Sequence, residues 1–336
     1  MQMCLAHPSL GYYRRRDPLG KAGDFTTAPE ISQMFGEMIG IWCAHMWTEL
    51  GRPDPFLMVE LGPGRGTLMA DLLRAAGKQP GFLNACRVHL VETSPTLRTK
   101  QRDTLSAHVD YTVWHDDLAQ VPSGATLLVA NEFLDALPVH QLILTASGWR
   151  ARVIDAKGGA LCWSTAEQDM EHHVPASLRD AAPESIFEWA PARADMAALI
   201  AGRLRAAPGA ALLIDYGFSG PRLGDSFQAL SRHEFTDPLA NPGDADLTSH
   251  VDFSALGDAA RAGNAQVYGP ISQASFLDNM GIGIRAQILG KARPDKVPEI
   301  ELALARLIAP EQMGALFQVL ALTSAGLPPP PPFSEH

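Results

Sequence analysis

The sequence contains few cysteines, and none of them lies in a metal-binding or disulfide-forming pattern. Only four occur in 336 residues, at Cys4, Cys43, Cys86 and Cys162. They form no C-x-x-C pair and no close cluster with histidine, so their spacing argues against a zinc site and a disulfide framework. We therefore predict no metal site, and we expect the chain to reside in a reducing compartment.

Long hydrophobic runs and targeting segments are also lacking. No stretch of about 18 apolar residues occurs, which argues against a transmembrane helix on length alone. Residues 1–13 contain neither the apolar core of a secretory signal nor the Arg/Ser-rich amphipathic stretch of an organelle transit peptide. These features predict a soluble protein without a membrane span, and the cytoplasm is its expected location.

Positive charge is scarce as well. Lysine and arginine number 27 against 37 aspartates and glutamates, which gives a net charge of −10. This balance argues against nucleic acid as the main partner, because phosphate binding needs an excess of basic side chains. A cationic ligand or a basic partner suits the chain better. The hydrophobic fraction of 46% is high enough for a substantial core, so a mainly disordered chain is excluded too.

The chain alternates strand-like and helical patterns. Residues 56–61 form a short apolar run typical of a strand buried on both faces, and the segment Gly62–Gly66 follows it directly. Residues 67–76 then carry leucines and a methionine at helical spacing. Further apolar strands are predicted at residues 88–92, 111–114, 125–130 and 210–217. This order predicts an α/β fold with a doubly wound, Rossmann-like sheet.

Several segments are predicted to extend this core, which spans residues 51–336. An N-terminal helical arm occupies residues 1–50. An insertion at about 139–190 shows the short strands and glycine turns of a β-meander. A second insertion, at 219–250, is polar and is expected to be a long loop, either a lid or a flexible excursion. Together the insertions are expected to form a substrate-side subdomain, and a single helix is predicted later, at 275–289.

The glycine-rich segment discriminates between cofactors. Gly62–Gly66 reads G-P-G-R-G, whereas a dinucleotide fingerprint needs G-x-G-x-x-G, and Thr67 stands where its third glycine should be. The spacing fits the S-adenosylmethionine loop of class I methyltransferases, with Glu60 and Glu92 placed to accept ribose hydroxyls. A cationic sulfonium also tolerates an acidic crevice that repels phosphate. A plain tight turn between strand and helix is the alternative.

The carboxyl ends of parallel strands line the ligand crevice of an open α/β sheet, so polar residues at those ends are expected to converge. The predicted cofactor-binding residues are Thr27, Glu60, Gly62, Pro63, Gly64, Gly66, Thr67, Glu92, Asp116, Asp117 and Asn131.

Blocks spread over nearly the whole chain resemble one family, the MidA-type proteins. The matching blocks are His7–Tyr13, Gly23–Glu37, Val59–Gly66 and Asn131–His140. The resemblance implies a class I methyltransferase fold, S-adenosylmethionine as cofactor and, as in the mitochondrial members that act in respiratory complex I assembly, a protein arginine as acceptor. The Asn/Asp-Pro-Pro-Tyr element of many amino-group methyltransferases is missing after the fourth strand, which leaves the acceptor chemistry open.

An arginine acceptor suggests which side chains carry the reaction. A guanidinium is best held by carboxylates that accept its N–H bonds. We predict Glu132 and Asp135 for this role, with Asp24 and Asp215 behind them. Asp135 has an alternative role as a helix N-cap. His140 is a candidate proton acceptor, although a structural role is the more usual one for such a histidine.

The predicted function is S-adenosylmethionine-dependent methylation of a protein arginine, with a complex I-like subunit as candidate partner. One alternative is an NAD-dependent oxidoreductase. Another is a non-catalytic assembly factor that retains a cofactor-binding fold. The apolar stretch Met38–Trp47 is expected to be a core helix, or, if exposed, a surface for a homodimer.

Overall fold

The computed structural model describes residues 1–15, 27–231 and 234–333. Asp24, one of the predicted catalytic residues, lies outside the described residues. The strands are β1 (Phe56–Leu61), β2 (Cys86–Val91), β3 (Thr112–His115), β4 (Thr126–Asn131), β5 (His140–Thr145), β6 (Gly148–Lys157), β7 (Ala160–Asp169), β8 (Ile186–Trp189), β9 (Gly209–Phe218), β10 (Gln228–Ser231), β11 (Glu234–Thr236), β12 (Asp246–Thr248), β13 (Val251–Asp252), β14 (Gln266–Ser272) and β15 (Phe317–Thr323). The α-helices are α1 (Gln2–Ala6), α2 (Tyr12–Arg15), α3 (Ala28–Ile31), α4 (Gln33–Glu49), α5 (Thr67–Ala76), α6 (Phe82–Ala85), α7 (Pro95–Thr104), α8 (Pro191–Ala206), α9 (Phe253–Ala262), α10 (Gln273–Asn279), α11 (Ile282–Ala292) and α12 (Val297–Ile308).

A central mixed sheet organises the molecule. Its strand order is β14-β15-β9-β4-β1-β2-β3, and β13 pairs with the end of β9. Five neighbouring strands of this sheet run parallel to one another, in the order β3, β2, β1, β4 and β9. Strand β15 is antiparallel to both of its neighbours. The predicted α/β fold with a doubly wound, Rossmann-like sheet is therefore confirmed.

The apolar strands are buried because helices cover both faces of the sheet. Every residue of β1 and of β4 is buried, as expected for parallel strands flanked by helices. One face packs against α4, α5 and the C-terminal helices. The other packs against α8 and α9. This arrangement leaves the carboxyl ends of the parallel strands as the edge at which a ligand site forms.

Helix α4 belongs to the core. Its glycines allow close packing, since a Cβ on Gly40 would lie 2.5 Å from the carbonyl oxygen of Leu72 in α5. The Ser32 side chain accepts a hydrogen bond from the backbone N–H of Met34 and caps the helix. Trp42 is fully buried in the cluster beneath the sheet. The Met38–Trp47 stretch is thus core, which removes it as an exposed surface for a homodimer.

The inserted elements differ in part from expectation. The meander is present as a four-stranded sheet in the order β7-β6-β5-β8, so β8 adds a strand to those predicted. The prediction of a loop over 219–250 is wrong, because β10, β11 and β12 form a three-stranded sheet there. Its buried Ala229 and Leu247 pack against Tyr12 of the N-terminal arm. Contact with the arm therefore completes a small hydrophobic cluster beside this three-stranded sheet.

The single helix predicted over 275–289 is divided into α10 and α11. Gly281 separates them and adopts φ +90°, a conformation that glycine reaches at little cost. In the described ranges, no helix combines the length and apolarity needed to cross a bilayer.

Candidate methyltransferase site

The glycine-rich loop between β1 and α5 forms a tight left-handed turn. Gly62, Gly64 and Gly66 have φ of +63°, +54° and +82°, values that favour glycine over other residues. The backbone N–H of Gly62 donates to the carbonyl of Val91 in β2, and Gly66 occupies the N-cap position of α5. The loop therefore directs the helix N-terminus toward the carboxyl edge of the sheet, where backbone N–H groups bind anionic ligand groups.

Glu60 is a buried carboxyl group with an unsatisfied oxygen. Glu60 lies near the end of β1 and is 3% exposed, and its Oε2 atom has no hydrogen-bond partner among the described residues. Burial, together with the charge of Glu92, raises the pKa of Glu60 to about 8. Buried polar atoms normally have partners. The orphaned oxygen therefore fits a ligand that presents hydroxyl or ammonium donors at this strand end.

Glu92, at the end of β2, is held by a residue that sequence analysis missed. Gln101 donates from Nε2 to the Gly64 carbonyl (2.7 Å) and to Glu92 Oε2 (3.3 Å), and it accepts from Trp114 Nε1 (2.8 Å). Burial raises the pKa of Glu92. Gln101 follows the buried Leu97 by four residues, one turn along the same face of α7. This spacing was the available signal.

The two aspartates after β3 are exposed and engaged by neighbours. Arg98 Nη2 lies 2.8 Å from Asp116 Oδ1, and Arg98 Nε donates to the Glu92 carbonyl. Asp117 Oδ1 accepts from the N–H of Ala119 and so caps a short helical turn. The structure thus places Asp116 next to the strand end that carries Glu92, while the Asp117 side chain stabilises the turn that follows.

The segment before α4 packs on the glycine loop. Thr67 Oγ1 donates to Glu30 Oε1 (2.6 Å), and Arg65 lies 3.7 Å from the same carboxylate. The carbonyl of Thr27 accepts from the N–H of Glu30. Thr67 therefore holds Glu30 rather than standing free, and Glu30 joins the site although sequence analysis did not select it. Arg14 of the arm donates to the Thr93 carbonyl, beside Glu92.

The loop after β4 lies directly against the glycine loop. A Cβ on Gly62 would approach Phe133 Cδ2 to 2.9 Å. Glu132 adopts φ +49°, an unusual value for a residue other than glycine and one that marks many functional sites. Its Oε1 accepts from the N–H of Ala28 (3.0 Å) and from Asn131 Nδ2 (3.1 Å). Burial raises the pKa of Glu132 to about 7.

Asp215 and Asp135 form a second carboxyl pair beside this loop. Asp215 is fully buried and accepts backbone hydrogen bonds from Leu134, Asp135 and Tyr216. Asp135 Oδ2 accepts from the Tyr216 hydroxyl (2.7 Å), whereas its Oδ1 has no partner in the described part of the chain. Burial raises the pKa of both groups. No helix starts at Asp135, so the N-cap interpretation does not apply.

A buried arginine, also missed by sequence analysis, positions the same loop. Arg193 in the first turn of α8 is 5% exposed. It donates to the carbonyls of Leu134, Asp135, Ser249 and His250. Because arginine in a helix is usually a surface residue, its sequence position gave no signal. Its guanidinium joins the loop after β4 to the segment before β13.

The structure therefore gathers Glu60, Glu92, Glu132, Asp135 and Asp215 near the carboxyl edge of the sheet. His140 is exposed at the start of β5. Its ring lies 5.3 Å from the Trp189 ring, which places it on the meander.

Known proteins share this chain's sequence and fold. Residues 38–271 match the family described as "Putative S-adenosyl-L-methionine-dependent methyltransferase". Relatives named "Protein arginine methyltransferase NDUFAF7, mitochondrial" are 36% identical in Xenopus tropicalis and in Homo sapiens; each comparison covers 96% of this chain, with 80% and 78% of the relative. A crystal structure of a Burkholderia thailandensis protein bound to S-adenosyl-homocysteine has a TM-score of 0.86 and 29% identity, covering 96% of this chain and 86% of that one.

These findings correct one expectation and decide between others. The expected cytoplasmic location is wrong, because the relatives are named as mitochondrial proteins. The oxidoreductase alternative is wrong too, since the matching family uses S-adenosylmethionine. With the family match over residues 38–271 and relatives 36% identical along most of their length, the chain belongs to the MidA-type family of S-adenosylmethionine-dependent methyltransferases.

Proposed function

We propose that this methyltransferase acts on an arginine side chain of a protein. The observation that carries the proposal is the juxtaposition of Glu132 and Asp135 with the glycine loop, through the contact of Phe133 with Gly62. Carboxyl groups are the natural partners of a guanidinium, which donates several N–H bonds in a planar fork. The relatives named as protein arginine methyltransferases support the same acceptor.

The cofactor residues are proposed from the geometry of the strand ends. Glu60 offers an oxygen that has no partner in the described part of the protein, and Glu92 is held in place by Gln101. We assign ribose hydroxyls to these carboxyl groups and the amino-acid end to the N–H groups of the glycine loop. Once bound, the cofactor supplies an electrophilic methyl group. Asn131 keeps a buried Oδ1 without a partner in the described residues and is assigned to the same ligand.

The carboxyl groups near the acceptor have different roles. Asp135 Oδ1, which has no partner among the residues that the structure describes, accepts an N–H of the guanidinium, while Tyr216 fixes the other oxygen. Asp215, saturated by backbone donors, positions the loop without touching the acceptor. Methylation of a guanidinium nitrogen releases one proton. Glu132, with a pKa raised to about 7 by burial, is suited to accept it near neutral pH.

The partner is proposed to be a respiratory complex I-like subunit, which the family resemblance suggests.

A homodimer is a further proposal, and light scattering of the purified protein at several concentrations tests it. A constant monomer mass would exclude the homodimer.

The acceptor proposal is tested with two synthetic peptide mixtures, one containing arginine without lysine and the other lysine without arginine. Purified protein receives methyl-labelled S-adenosylmethionine with each mixture. We expect label in the arginine mixture, recovered as methylarginine after hydrolysis. Label in the lysine mixture alone would overturn the assignment of the acceptor.

A further inference from the structure

A cavity lies between β8 of the meander, the end of β9 and residues 222–228. Its volume is about 320 Å³, near the lower end of the about 300–1,000 Å³ typical of ligand pockets. Its lining includes Glu188, Phe218, Arg222, Asp225, Ser226 and His250. This size suits one side chain better than a whole cofactor.

Both acidic groups of the cavity are already satisfied by the protein. Glu188 Oε1 accepts from the N–H groups of Ser226 and Phe227, at 3.0 and 3.1 Å. Asp225 forms an ion pair with Arg152 (2.7 Å), and its other oxygen accepts from Gln141 (2.7 Å). These carboxylates therefore build the wall of the cavity, and the donors of the protein occupy the oxygens that a ligand would otherwise contact.

Arg222 differs from the two carboxylates in the neighbours that it contacts. Its guanidinium carbon lies 3.7 Å from the centre of the Phe218 ring, and its Nη2 lies 2.9 Å from His250 Nδ1. Neither neighbour supplies a negative charge. Within residues 1–15, 27–231 and 234–333, no carboxylate lies within ion-pair distance of Arg222. The cavity thus presents an exposed cation that forms no ion pair with a carboxylate of the described ranges.

The cavity is connected to the loop after β4 through His250 and Tyr216. The ring of His250 lies 5.4 Å from the ring of Tyr216, and the Tyr216 hydroxyl donates to Asp135. The His250 carbonyl accepts from Arg193 (2.6 Å), which also holds the carbonyl of Asp135. The side chains of His250 and Tyr216 therefore connect a group in the cavity to Asp135, the proposed acceptor carboxylate.

We propose that this cavity binds an aspartate or glutamate side chain of the protein substrate, flanking the acceptor arginine, with Arg222 as the binding residue. A guanidinium pairs with a carboxylate through parallel N–H bonds, and stacking on Phe218 fixes its plane. The inference rests on the proposed arginine methylation, and it adds a requirement for an acidic residue near the acceptor.

Binding is tested without catalysis, using N-acetyl-glutamate N-methylamide as the probe. The protein is titrated while the histidine ring signals are followed by NMR, with His250 assigned by substitution. We expect saturable shifts for His250, weakened at least fivefold in Arg222→Gln. Arg261→Gln, which removes an exposed charge on α9, is the matched control and keeps binding. Equal shifts with N-acetyl-glutamine N-methylamide, or unchanged binding in Arg222→Gln, overturn the inference.

A kinetic arm separates this inference from the proposed function. Arginine peptides carry one glutamate at each flanking position in turn, and a matched series carries glutamine. We expect one position at which glutamate lowers KM at least fivefold with wild type, with kcat unchanged, and the advantage disappears in Arg222→Gln. If peptides are methylated without a preference for glutamate, the cavity proposal fails. If no arginine peptide is methylated, the proposed function fails, while the titration still decides the cavity.

Discussion

The buried carboxyl group of Glu60 lowers the stability of the folded protein when it is charged. Its pKa is raised to about 8 by burial and by Glu92, so the folded state disfavours the charged form. A raised carboxyl pKa contributes stability below the unfolded value of about 4.3, and this contribution is lost as pH rises through about 8. Glu60 therefore reduces the stability of the ligand-free protein at higher pH, and we attribute its presence to ligand binding.

Replacing Glu60 by glutamine should separate stability from binding. We expect the ligand-free Glu60→Gln protein to exceed wild type in unfolding free energy by about 1 kcal/mol or more at pH 8.5 and to match it near pH 5. Its affinity for S-adenosylmethionine should fall at least tenfold. Urea denaturation at both pH values and calorimetric titration measure these quantities. Glu299→Gln, on an exposed side chain, is the control; a pH-independent difference in stability would contradict the account.

Single residues differ in how well sequence predicts them. The positions of Glu60, Glu92 and Glu132 could be predicted, because each stands at the end of an apolar strand. Arg193 could not, and Gln101 offered only its one-turn spacing from Leu97 as a signal, because polar side chains on helices normally face solvent. Their burial depends on partners distant in sequence, such as Gly64 and Ser249.

At the scale of elements, the glycine loop and the loop after β4 act as one unit. Gly62 combines a φ of +63° with a contact in which an added Cβ would meet Phe133 at 2.9 Å. Gly62→Ala therefore strains the backbone and also displaces the loop after β4. Both effects act where the cofactor and acceptor are proposed to meet.

We expect Gly62→Ala to lose at least tenfold in S-adenosylmethionine affinity and to unfold at lower temperature, as measured by calorimetry. Gly51→Ala is the matched control, because Gly51 has φ +82° but nothing within 4 Å of an added Cβ. It should lose only about 1–2 kcal/mol of stability from backbone strain and keep its affinity. Equal affinity losses in both variants would contradict a specific role for the Gly62 contact.

Elements with strong local patterns were predictable, and those made by tertiary contacts were not. The meander follows from short apolar strands joined by glycine turns such as Gly158–Gly159. The strands β10 to β12 lie in a polar segment and form against the N-terminal arm, so local periodicity could not predict them. The break at Gly281 was missed because a helical apolar pattern continues on both sides of it.

At the scale of the whole molecule, one carboxylate ties the N-terminal and C-terminal parts together. Glu37 on α4 accepts from Arg74 on α5 and is bound in bidentate fashion by Arg285 on α11, at 2.7 and 2.8 Å. Burial alone would raise the pKa of Glu37, but the two guanidinium groups outweigh it and the pKa is lowered. The network stabilises the fold above the unfolded carboxyl pKa, and this contribution is lost as pH falls.

We expect Glu37→Gln to reduce the unfolding free energy by about 1–3 kcal/mol at pH 7, with a smaller difference near pH 4, because protonation of Glu37 weakens the network in wild type. Urea denaturation at the two pH values measures the effect. Glu49→Gln, in the same helix but partly exposed, should change stability by less than about 0.5 kcal/mol. A difference that grows toward low pH would contradict the network.

The central claim is that Glu132 acts on an arginine acceptor beside the bound cofactor. The most direct test is transfer of labelled methyl to arginine peptides by Glu132→Gln and by Glu301→Gln, an exposed control. We predict a loss of about 100-fold or more in Glu132→Gln, with unchanged cofactor affinity and with the control at the wild-type rate. Wild-type transfer by Glu132→Gln would contradict the account.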